Sequence, residues 1–315
     1  MRAIAIEEFG GPEKLKQCTL PRPKAEKGEI LIHVVAAGVN RVDCLIREGH
    51  LEGRFPHHFP LVPGWDVAGV VEELGEGATR FRKGDRVWAL AMKPELQWGC
   101  YAEYVNVSED QVAHMPAKLL FEEAAAVPLA ALTAQQCLFA RPGLGANSTV
   151  LIHAAAGGVG HFAVQLAKLT GAKVYGTAGT AKQPFVLGLG ASAGFDYTSE
   201  DFVSALGRHC PDGVDLVLDA VGGEVLERSY EVLKPGGRLV SIVDEPSADA
   251  AQRRGANAHS LLVKPDADQL SHFATLFDMK KLCTKVQKIY ELSDAAEAHR
   301  VIEDGHVQGK LVLNI

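Results

Sequence analysis

A glycine-rich turn near the middle of the chain has the residue types and the spacing that bind a diphosphate. Residues 149–154 form a short apolar run, residues 155–160 read Ala-Ala-Gly-Gly-Val-Gly, and a helical pattern follows. In a dinucleotide-binding fold such glycines allow a tight turn and a close approach to the pyrophosphate, and the helix N-terminus offers free N–H groups. The pattern predicts a dinucleotide site formed by Ala156, Gly157, Gly158, Val159 and Gly160. The alternative is a strand-to-helix turn without a ligand.

The end of the next strand predicts which dinucleotide is bound. NAD-specific folds place an acidic residue about 20 residues after the turn, where it bonds the ribose 2′-hydroxyl. Here residues 175–182 read Tyr-Gly-Thr-Ala-Gly-Thr-Ala-Lys, so no acid stands in this segment. Thr180 and Lys182 are instead suited to donate to a 2′-phosphate, and Thr177 and Gly179 of the same segment are further candidates for contact with the cofactor. We therefore expect NADPH as the cofactor, with a solvated helix residue as the alternative for Lys182.

Two regions of different pattern must position these residues. About two domains are expected for 315 residues. Residues 1–120 are rich in turns and short β-branched runs, which predicts a compact, mostly β domain. After residue 120, short apolar strands alternate with helices, which indicates a doubly wound parallel sheet and an α/β chain. The predicted strands of this sheet are residues 149–154, 173–177, 214–219, 238–243 and 260–263, preceded by a helix over residues 121–139 that Pro128 kinks.

Composition excludes several classes of function. The formal net charge of −7 and the pI near 6.0 argue against binding to nucleic acid or to an acidic membrane. The six cysteines contain no C-x-x-C pair, which predicts neither a disulfide framework nor a zinc ribbon and fits a reducing compartment. No apolar stretch approaches the roughly 20 residues of a membrane span, and acidic residues stand where a signal peptide is apolar. We expect a cytoplasmic protein.

Several motifs together resemble the zinc-independent quinone oxidoreductases and related enone reductases of the medium-chain dehydrogenase/reductase superfamily. Residues 151–160 read Leu-Ile-His-Ala-Ala-Ala-Gly-Gly-Val-Gly, with Gln165 and Lys168 following as in that family. Further matches lie at residues 38–43, 63–69, 84–87, 101–104, 128–134, 219–223 and 309–310. The resemblance implies a GroES-like catalytic domain over residues 1–120, completed by residues 281–315, and a Rossmann NADP-binding domain over residues 121–280.

The same resemblance implies roles for individual residues. Asn40 and Thr133 would lie beside the nicotinamide and its ribose, and Tyr197 with Gly179 and Lys182 would bind the adenine ribose phosphate. The backbone that lines the nicotinamide would come from Val221, Gly222, Ser241, Ile242 and Val243. The alternatives are a plain turn residue for Asn40, a hydroxyl bonded to its own helix for Thr133, and a plain strand exit for residues 219–223.

The resemblance also predicts that no metal is bound. Zinc alcohol dehydrogenases hold the metal with thiolate and imidazole ligands. The matching positions here carry Asn40, Trp65 and Asp66, which supply neither group. We expect hydride transfer from NADPH to a small-molecule electrophile, either a quinone or an enal or enone, with Asn40 orienting the oxygen that becomes negative.

The segment after Asn40 leaves the proton source open. Relatives carry a Tyr or a Lys soon after the position of Asp43, whereas here Cys44 and Arg47 follow. Either solvent protonates the product, or Arg47 or His50 takes part of the role, or the substrate differs. Asp43 is expected to cap the next helix, and Cys44 to be a buried, inert thiol.

Some features remain open to other interpretations. Tyr101 and Trp98 are weaker candidates for contact with the substrate. His153 is expected to pack inside the fold, and His161 to meet either a phosphate or solvent. Two other functions stay open: an enoyl-thioester reductase, and a catalytically silent NADPH-binding protein. Pairing of edge strands near residues 260–263 would make a homodimer.

Overall fold

The computed structural model describes residues 1–140 and 143–315, and these divide into two compact units. The first unit consists of Met1–Leu132 and Lys264–Ile315, and the second of Thr133–Val263. The sequence predicts boundaries at residues 120 and 280, but residues 121–132 and 264–280 lie in the first unit. The helices in these two segments pack against strands of the first unit, which explains the difference. Among the described residues every helix is too short or too polar to span a bilayer.

The strands are, in chain order, β1 (Arg2–Ala5), β2 (Lys16–Thr19), β3 (Glu29–Val39), β4 (His57–Val62), β5 (Asp66–Leu74), β6 (Arg86–Leu90), β7 (Leu96–Trp98), β8 (Tyr104–Ser108), β9 (Val112–His114), β10 (Thr149–Ile152), β11 (Lys173–Ala178), β12 (Ala193–Asp196), β13 (Val214–Asp219), β14 (Leu233–Ser241), β15 (Asn257–Ser260), β16 (Val286–Glu291) and β17 (Lys310–Asn314). The α-helices are α1 (Arg41–Glu48), α2 (Phe121–Ala125), α3 (Pro128–Phe139), α4 (Gly158–Leu169), α5 (Gln183–Gly188), α6 (Phe202–His209), α7 (Gly223–Ser229), α8 (Ala248–Arg253), α9 (Ala267–Asp278) and α10 (Ala295–Glu303).

The first unit is built on a mostly antiparallel sheet that joins the two ends of the chain. Its strand order is β16-β17-β3-β5-β6-β9, and β8 also pairs with β3. Strand β17 lies antiparallel to the end of β3, with Leu311 opposite Val39 and Leu313 opposite Ala37. The inward side chains of these strands are fully buried. The last strand therefore completes a sheet that begins about 280 residues earlier, as the resemblance implies.

Helix α1 begins directly after β3 and is capped by its own sequence. The backbone N–H of Asn40 donates to Oδ2 of Asp43 at 2.8 Å, so the expected capping role of Asp43 is confirmed. At the other end Gly49 adopts φ 84°, and its N–H donates to a carbonyl of the last turn. The cap fixes the backbone at Asn40, where β3 ends.

The second unit is a six-stranded parallel sheet of order β12-β11-β10-β13-β14-β15. The central strand β10 pairs with β11 on one side and with β13 on the other, so the strand order reverses beside β10. This is the topological switch point where doubly wound sheets bind ligands. The apolar core on one face gathers the buried side chains Leu151, Tyr175, Phe195, Val217 and Leu239.

Two local predictions are corrected, and one strand was missed. The predicted strand at residues 260–263 is Asn257–Ser260, because this segment pairs in register with β14, with Asn257 opposite Arg238. Strand β12 was not predicted, since its Ala-Gly-Phe-Asp sequence has little strand signal by itself. The predicted kinked helix is two helices, α2 and α3, and Pro128 is the first residue of α3. Proline lacks the N–H that would continue a helix, but it suits the first helical position.

Candidate functional site

The glycine turn between β10 and α4 is sterically tight. A Cβ at Gly160 would lie 2.2 Å from the carbonyl oxygen of Ala154 and 2.7 Å from Cα of Ala155, which no side chain can satisfy. Gly157, the residue before α4, brings no side chain to cap the helix, so no side-chain oxygen covers the first N–H groups. His161 is fully buried and its Nδ1 lies 2.9 Å from the Gly157 carbonyl oxygen, so the expectation that it meets a phosphate or solvent is wrong.

The predicted ribose phosphate residues meet where β11 and β12 end. A Cβ at Gly179 would lie 3.4 Å from the phenol oxygen of Tyr197, and Tyr197 is 55% exposed. Thr180 Oγ1 donates to Oδ2 of Asp196 at 2.5 Å, so this hydroxyl is already used. Partial burial lowers the pKa of Lys182. The sequence analysis missed Asp196, because it lies at the end of the unpredicted strand β12.

The predicted nicotinamide-lining segments are joined by a buried carboxylate. Asp219 Oδ1 accepts the backbone N–H groups of Val221 and Gly222 at 3.0 Å, and its Oδ2 accepts the hydroxyl of Ser241 at 2.8 Å. Ser241 Oγ accepts in turn the N–H of Val243 at 3.2 Å. The ends of β13 and β14 are thereby brought together, with Ile242 between Ser241 and Val243. The side chains of Val221 and Val243 remain exposed beside this junction.

In the first unit the Asn40 side chain is held from both ends. Its Nδ2 donates to Oδ2 of Asp66 at 2.9 Å, and its Oδ1 accepts a short hydrogen bond from Nζ of Lys310. Lys310 also donates to the Val39 carbonyl oxygen at 3.1 Å and lies 3.4 Å from Asp66 Oδ2. Asp66 Oδ1 accepts the N–H of Leu129 at 2.7 Å. The orientation of the amide is thus fixed by an ion pair, and the second hydrogen of Nδ2 has no acceptor among the described residues.

A buried chain of polar groups begins on the other side of Asn40. Asp43 Oδ2 accepts the hydroxyl of Tyr101 at 3.1 Å, and Tyr101 Oη lies 3.2 Å from Nε2 of His299. His299 Nδ1 lies 3.4 Å from Nη1 of Arg47. Arg47 can only donate, so His299 Nδ1 accepts and its Nε2–H donates to Tyr101. Tyr101 is completely buried, which contradicts its role as a candidate for contact with the substrate.

Arg47 is a structural residue. Its guanidinium is 1% exposed, and it donates to Glu303 Oε1 at 2.6 Å, to Glu48, and to the Gly10 carbonyl oxygen at 2.9 Å. The hypothesis that Arg47 protonates the product is therefore wrong, because the group is enclosed and ion-paired. Burial, with Arg47 alongside, lowers the pKa of His299 to about 3, so its ring is neutral at ordinary pH.

The donor sets present do not fit a bound zinc ion. Cys44, His299 and Glu303 bring their ligand atoms within 4.8 Å of one another, but Arg47 already donates to His299 and Glu303. A cation there would face the fixed charge of Arg47. Burial raises the pKa of the Cys44 thiol well above its ordinary value, which opposes the thiolate form that binds metal. At Asn40 the nearby carboxylate, Asp66, is paired with Lys310.

The pH dependence of stability is expected to report on Asp43. Burial raises the pKa of Asp43 from 3.8 to about 7, and its Oδ1 has no hydrogen-bond partner in the part of the chain that the structure describes. Folding therefore favours the protonated form, and this contribution is present below pH 4 and lost as the pH rises through 7. Between pH 5 and pH 8 the wild-type free energy of unfolding should fall by about 2.5 kcal/mol from this group, and Asp43→Asn should abolish that fall.

Urea unfolding at pH 5 and pH 8 measures the effect. Asp110→Asn, at an exposed carboxylate, is the matched control and should keep the wild-type pH dependence. If the free energy of unfolding fell equally between pH 5 and pH 8 in wild type and in Asp43→Asn, the pH dependence would not come from Asp43.

Two family models match the chain. One, "Alcohol dehydrogenase GroES-like domain", covers residues 26–117, and the other, "Zinc-binding dehydrogenase", covers residues 189–313. Human quinone oxidoreductase is 32% identical over 99% of this chain and 97% of its own length. Such identity over full length shows common descent of the whole chain.

Solved structures agree over the same extent. The quinone oxidoreductase from Coxiella burnetii is 37% identical with a TM-score of 0.90, covering 100% of this chain and 99% of that one. Escherichia coli quinone oxidoreductase complexed with NADPH is 30% identical with a TM-score of 0.90, covering 100% of both. CurK enoyl reductase is 29% identical with a TM-score of 0.89, covering 99% and 98%. The predicted GroES-like and Rossmann architecture is confirmed, and the chain belongs to the quinone oxidoreductases of the medium-chain dehydrogenase/reductase superfamily.

Proposed function

We propose that this chain is an NADPH-dependent, metal-free oxidoreductase that transfers hydride to a quinone or an α,β-unsaturated carbonyl. The observation that carries the proposal is the Asn40 amide, fixed between Lys310 and Asp66 at a position where zinc enzymes of the superfamily carry a metal ligand. An amide oriented in this way can donate to an oxygen that becomes negative. The unfavourable donor sets for zinc described above support the metal-free reaction.

NADPH is proposed to lie along the C-terminal ends of the parallel strands. Its pyrophosphate would be held by the turn at residues 156–160, and its nicotinamide by the backbone around Gly222 and Ile242. Thr133, a buried residue of α3, is proposed to contact the nicotinamide ribose. The Escherichia coli relative solved with NADPH supports this cofactor. When bound, NADPH supplies the hydride, and the protein contributes position and polarity.

The 2′-phosphate of NADPH is proposed to lie between Lys182 and Tyr197. Lys182 supplies the positive charge, and Tyr197, close to Gly179, supplies an exposed hydroxyl. Thr180 is proposed to act through its hydrogen bond to Asp196 rather than by donating to the phosphate. The carboxylate of Asp196 would repel a 2′-phosphate bound beside it. The positive charge of Lys182 is therefore needed to offset this repulsion.

Lys182→Ala is expected to weaken NADPH binding about tenfold and to leave NADH binding within twofold, because only NADPH carries the 2′-phosphate. Dissociation constants from the fluorescence of the bound cofactors measure both effects. Lys168→Ala, on α4, is the control and should change neither value by more than twofold. Equal loss of affinity for the two cofactors would remove Lys182 from this role.

The chain's own groups are proposed to do three things for the substrate. Nδ2 of Asn40 donates to the substrate oxygen, and Lys310 polarises the amide from its Oδ1 side. Asp66 prevents the amide from turning. Because Arg47 and Tyr101 are enclosed within the first unit, solvent is proposed to deliver the proton to the product.

The proposal is tested with a panel of quinones, enals and enones in the presence of NADPH and a chelator. Wild type should oxidise NADPH with at least one class, with no loss of rate in the chelator. Asn40→Ala should lower kcat by about 100-fold and leave the NADPH dissociation constant within threefold, because the amide is needed in the transition state. Asn147→Ala, at an exposed amide in the turn before β10, is the control.

Two outcomes of this assay would replace the proposal. Reduction of crotonyl-CoA alone would favour an enoyl-thioester reductase, a candidate supported by the likeness to CurK enoyl reductase. Tight NADPH binding without oxidation by any acceptor would make the chain a catalytically silent binding protein.

We also propose that the protein is a cytoplasmic homodimer. Cys18, Cys44, Cys100, Cys137 and Cys210 are free thiols, which suits a reducing compartment. Strand β15 pairs with β14 on one side and ends the parallel sheet, so its other edge is suited to pair with β15 of a second copy. Sedimentation equilibrium should give twice the chain mass of 33.7 kDa, and Ala258→Pro in β15 should give monomers. A monomeric wild type at micromolar concentration would contradict the dimer.

A further inference from the structure

A second buried chain of hydrogen bonds runs from the glycine turn to helix α7. Ala154 N lies 3.2 Å from Thr177 Oγ1, which lies 3.1 Å from Nδ1 of His153. His153 Nε2 lies 2.9 Å from Oγ of Ser229, in the last turn of α7. Each of His153, Thr177 and Ser229 is at most 4% exposed. The packing role expected for His153 is therefore accompanied by two specific hydrogen bonds.

Each hydrogen bond in this buried series has only one possible assignment of donor and acceptor. Ser229 Oγ donates its single hydrogen to the Val225 carbonyl oxygen at 2.6 Å, so it accepts from Nε2–H of His153. Nδ1 of the neutral ring then accepts from the hydroxyl of Thr177. The Thr177 oxygen is left to accept the N–H of Ala154. Burial lowers the pKa of His153 to about 4, so the neutral ring that this scheme needs is the form present at neutral pH.

This series of hydrogen bonds ends at Ala154, the most strained residue of the glycine turn. Ala154 adopts φ 50°, a left-handed conformation that residues with a Cβ rarely take. Thr177 holds it with two acceptors, since its Oγ1 accepts the N–H of Ala154 and its carbonyl oxygen accepts the N–H of Ala155 at 2.9 Å. The Ala154 carbonyl in turn accepts the N–H of Gly157 at 2.8 Å and is the atom against which Gly160 packs.

We propose that Thr177 and His153 are positioning residues for the dinucleotide pyrophosphate, acting by holding Ala154 in its left-handed conformation. This inference rests on the proposed binding of NADPH. The conformation of Ala154 fixes its carbonyl oxygen, and that oxygen fixes Gly157, which precedes α4, and Gly160, which lies in the first turn of α4. Thr177, predicted from sequence to contact the cofactor, acts here through the backbone of Ala154.

The same chain links two parts of the cofactor site. Ser229 ends α7, and α7 starts at Gly223, next to the backbone of Val221 and Gly222 that is proposed to line the nicotinamide. Through His153 the helix behind the nicotinamide segment and the pyrophosphate turn share one rigid set of hydrogen bonds. The two segments proposed to hold the cofactor are thereby tied to each other within the second unit.

The test removes only the hydroxyl. Thr177→Val keeps the shape of the side chain and is expected to raise the NADPH dissociation constant about tenfold, because the strain at Ala154 must then be overcome on binding. Thr177→Ser keeps the hydroxyl and should stay within twofold of wild type. Binding is measured by the fluorescence of NADPH, and folding is checked by circular dichroism.

Rescue by glycine distinguishes positioning from other roles. In the Thr177→Val background, Ala154→Gly should restore the dissociation constant to within threefold of wild type, because glycine takes a positive φ freely. Ala154→Gly alone should bind like wild type. His153→Leu, which frees the Thr177 hydroxyl to turn away, should weaken binding about fivefold and be rescued in the same way, so the test stands even if Thr177→Val does not fold.

Three results would overturn the inference. A Thr177→Val protein that is less heat-stable but binds NADPH like wild type would make the hydroxyl merely structural. Weaker binding without rescue by Ala154→Gly would indicate direct contact with the cofactor. Failure of the wild type itself to bind NADPH would overturn the proposed function as well, and that outcome is recognised before any variant is measured.

Discussion

The buried ammonium group of Lys310 is the interaction on which the first unit depends. A charge that is 3% exposed must have acceptors for its hydrogens, and it finds the Val39 carbonyl, the Asn40 amide oxygen and the Asp66 carboxylate. These groups lie at the ends of the adjacent strands β17, β3 and β5. The pairing of β17 with β3 and the orientation of the Asn40 amide therefore depend on each other. The reason is that neither the Lys310 ammonium nor the Asp66 carboxylate is stable in the core without the other.

The two buried series of polar groups differ in how completely their hydrogen-bonding groups are satisfied. In the second unit every donor and acceptor from Val225 to Ala154 is used, and the histidine stays neutral. In the first unit the series of hydrogen bonds through Tyr101 ends at Asp43, whose Oδ1 finds no partner among the residues described. The complete chain holds a strained backbone in one conformation, whereas the incomplete chain leaves a carboxyl group whose charge is unfavourable near neutral pH.

The proposed metal-free reaction agrees with the side chains at the positions where the family resemblance would place metal ligands. Where the zinc enzymes of the superfamily need thiolate and imidazole, this chain carries an amide, an indole and a carboxylate, and adds a lysine from the last strand. Lys310 brings a positive charge next to Asn40, and Arg47 occupies the Cys44, His299 and Glu303 cluster. Within the described residues, the Asn40 position and the Cys44, His299 and Glu303 cluster thus each have a side-chain cation beside them. Polar activation of a substrate oxygen by Asn40 is consistent with this arrangement.

The sequence by itself determined what depends on neighbouring residues. The strand, glycine turn and helix at residues 149–169 and the capping of α1 by Asp43 follow from local sterics and local hydrogen bonds, and both were predicted. At Pro128 the sequence predicted a kink within one helix, whereas a second helix begins there. Only the tertiary structure decided what depends on distant residues. Lys310 bonds Asn40 across 270 positions of the sequence, and His299 contacts Tyr101 across 198. Strands β12 and β15 form because they pair with β11 and β14 at the edges of the parallel sheet. Periodicity and spacing carry no information about such partners, because burial and pairing are set by the whole fold.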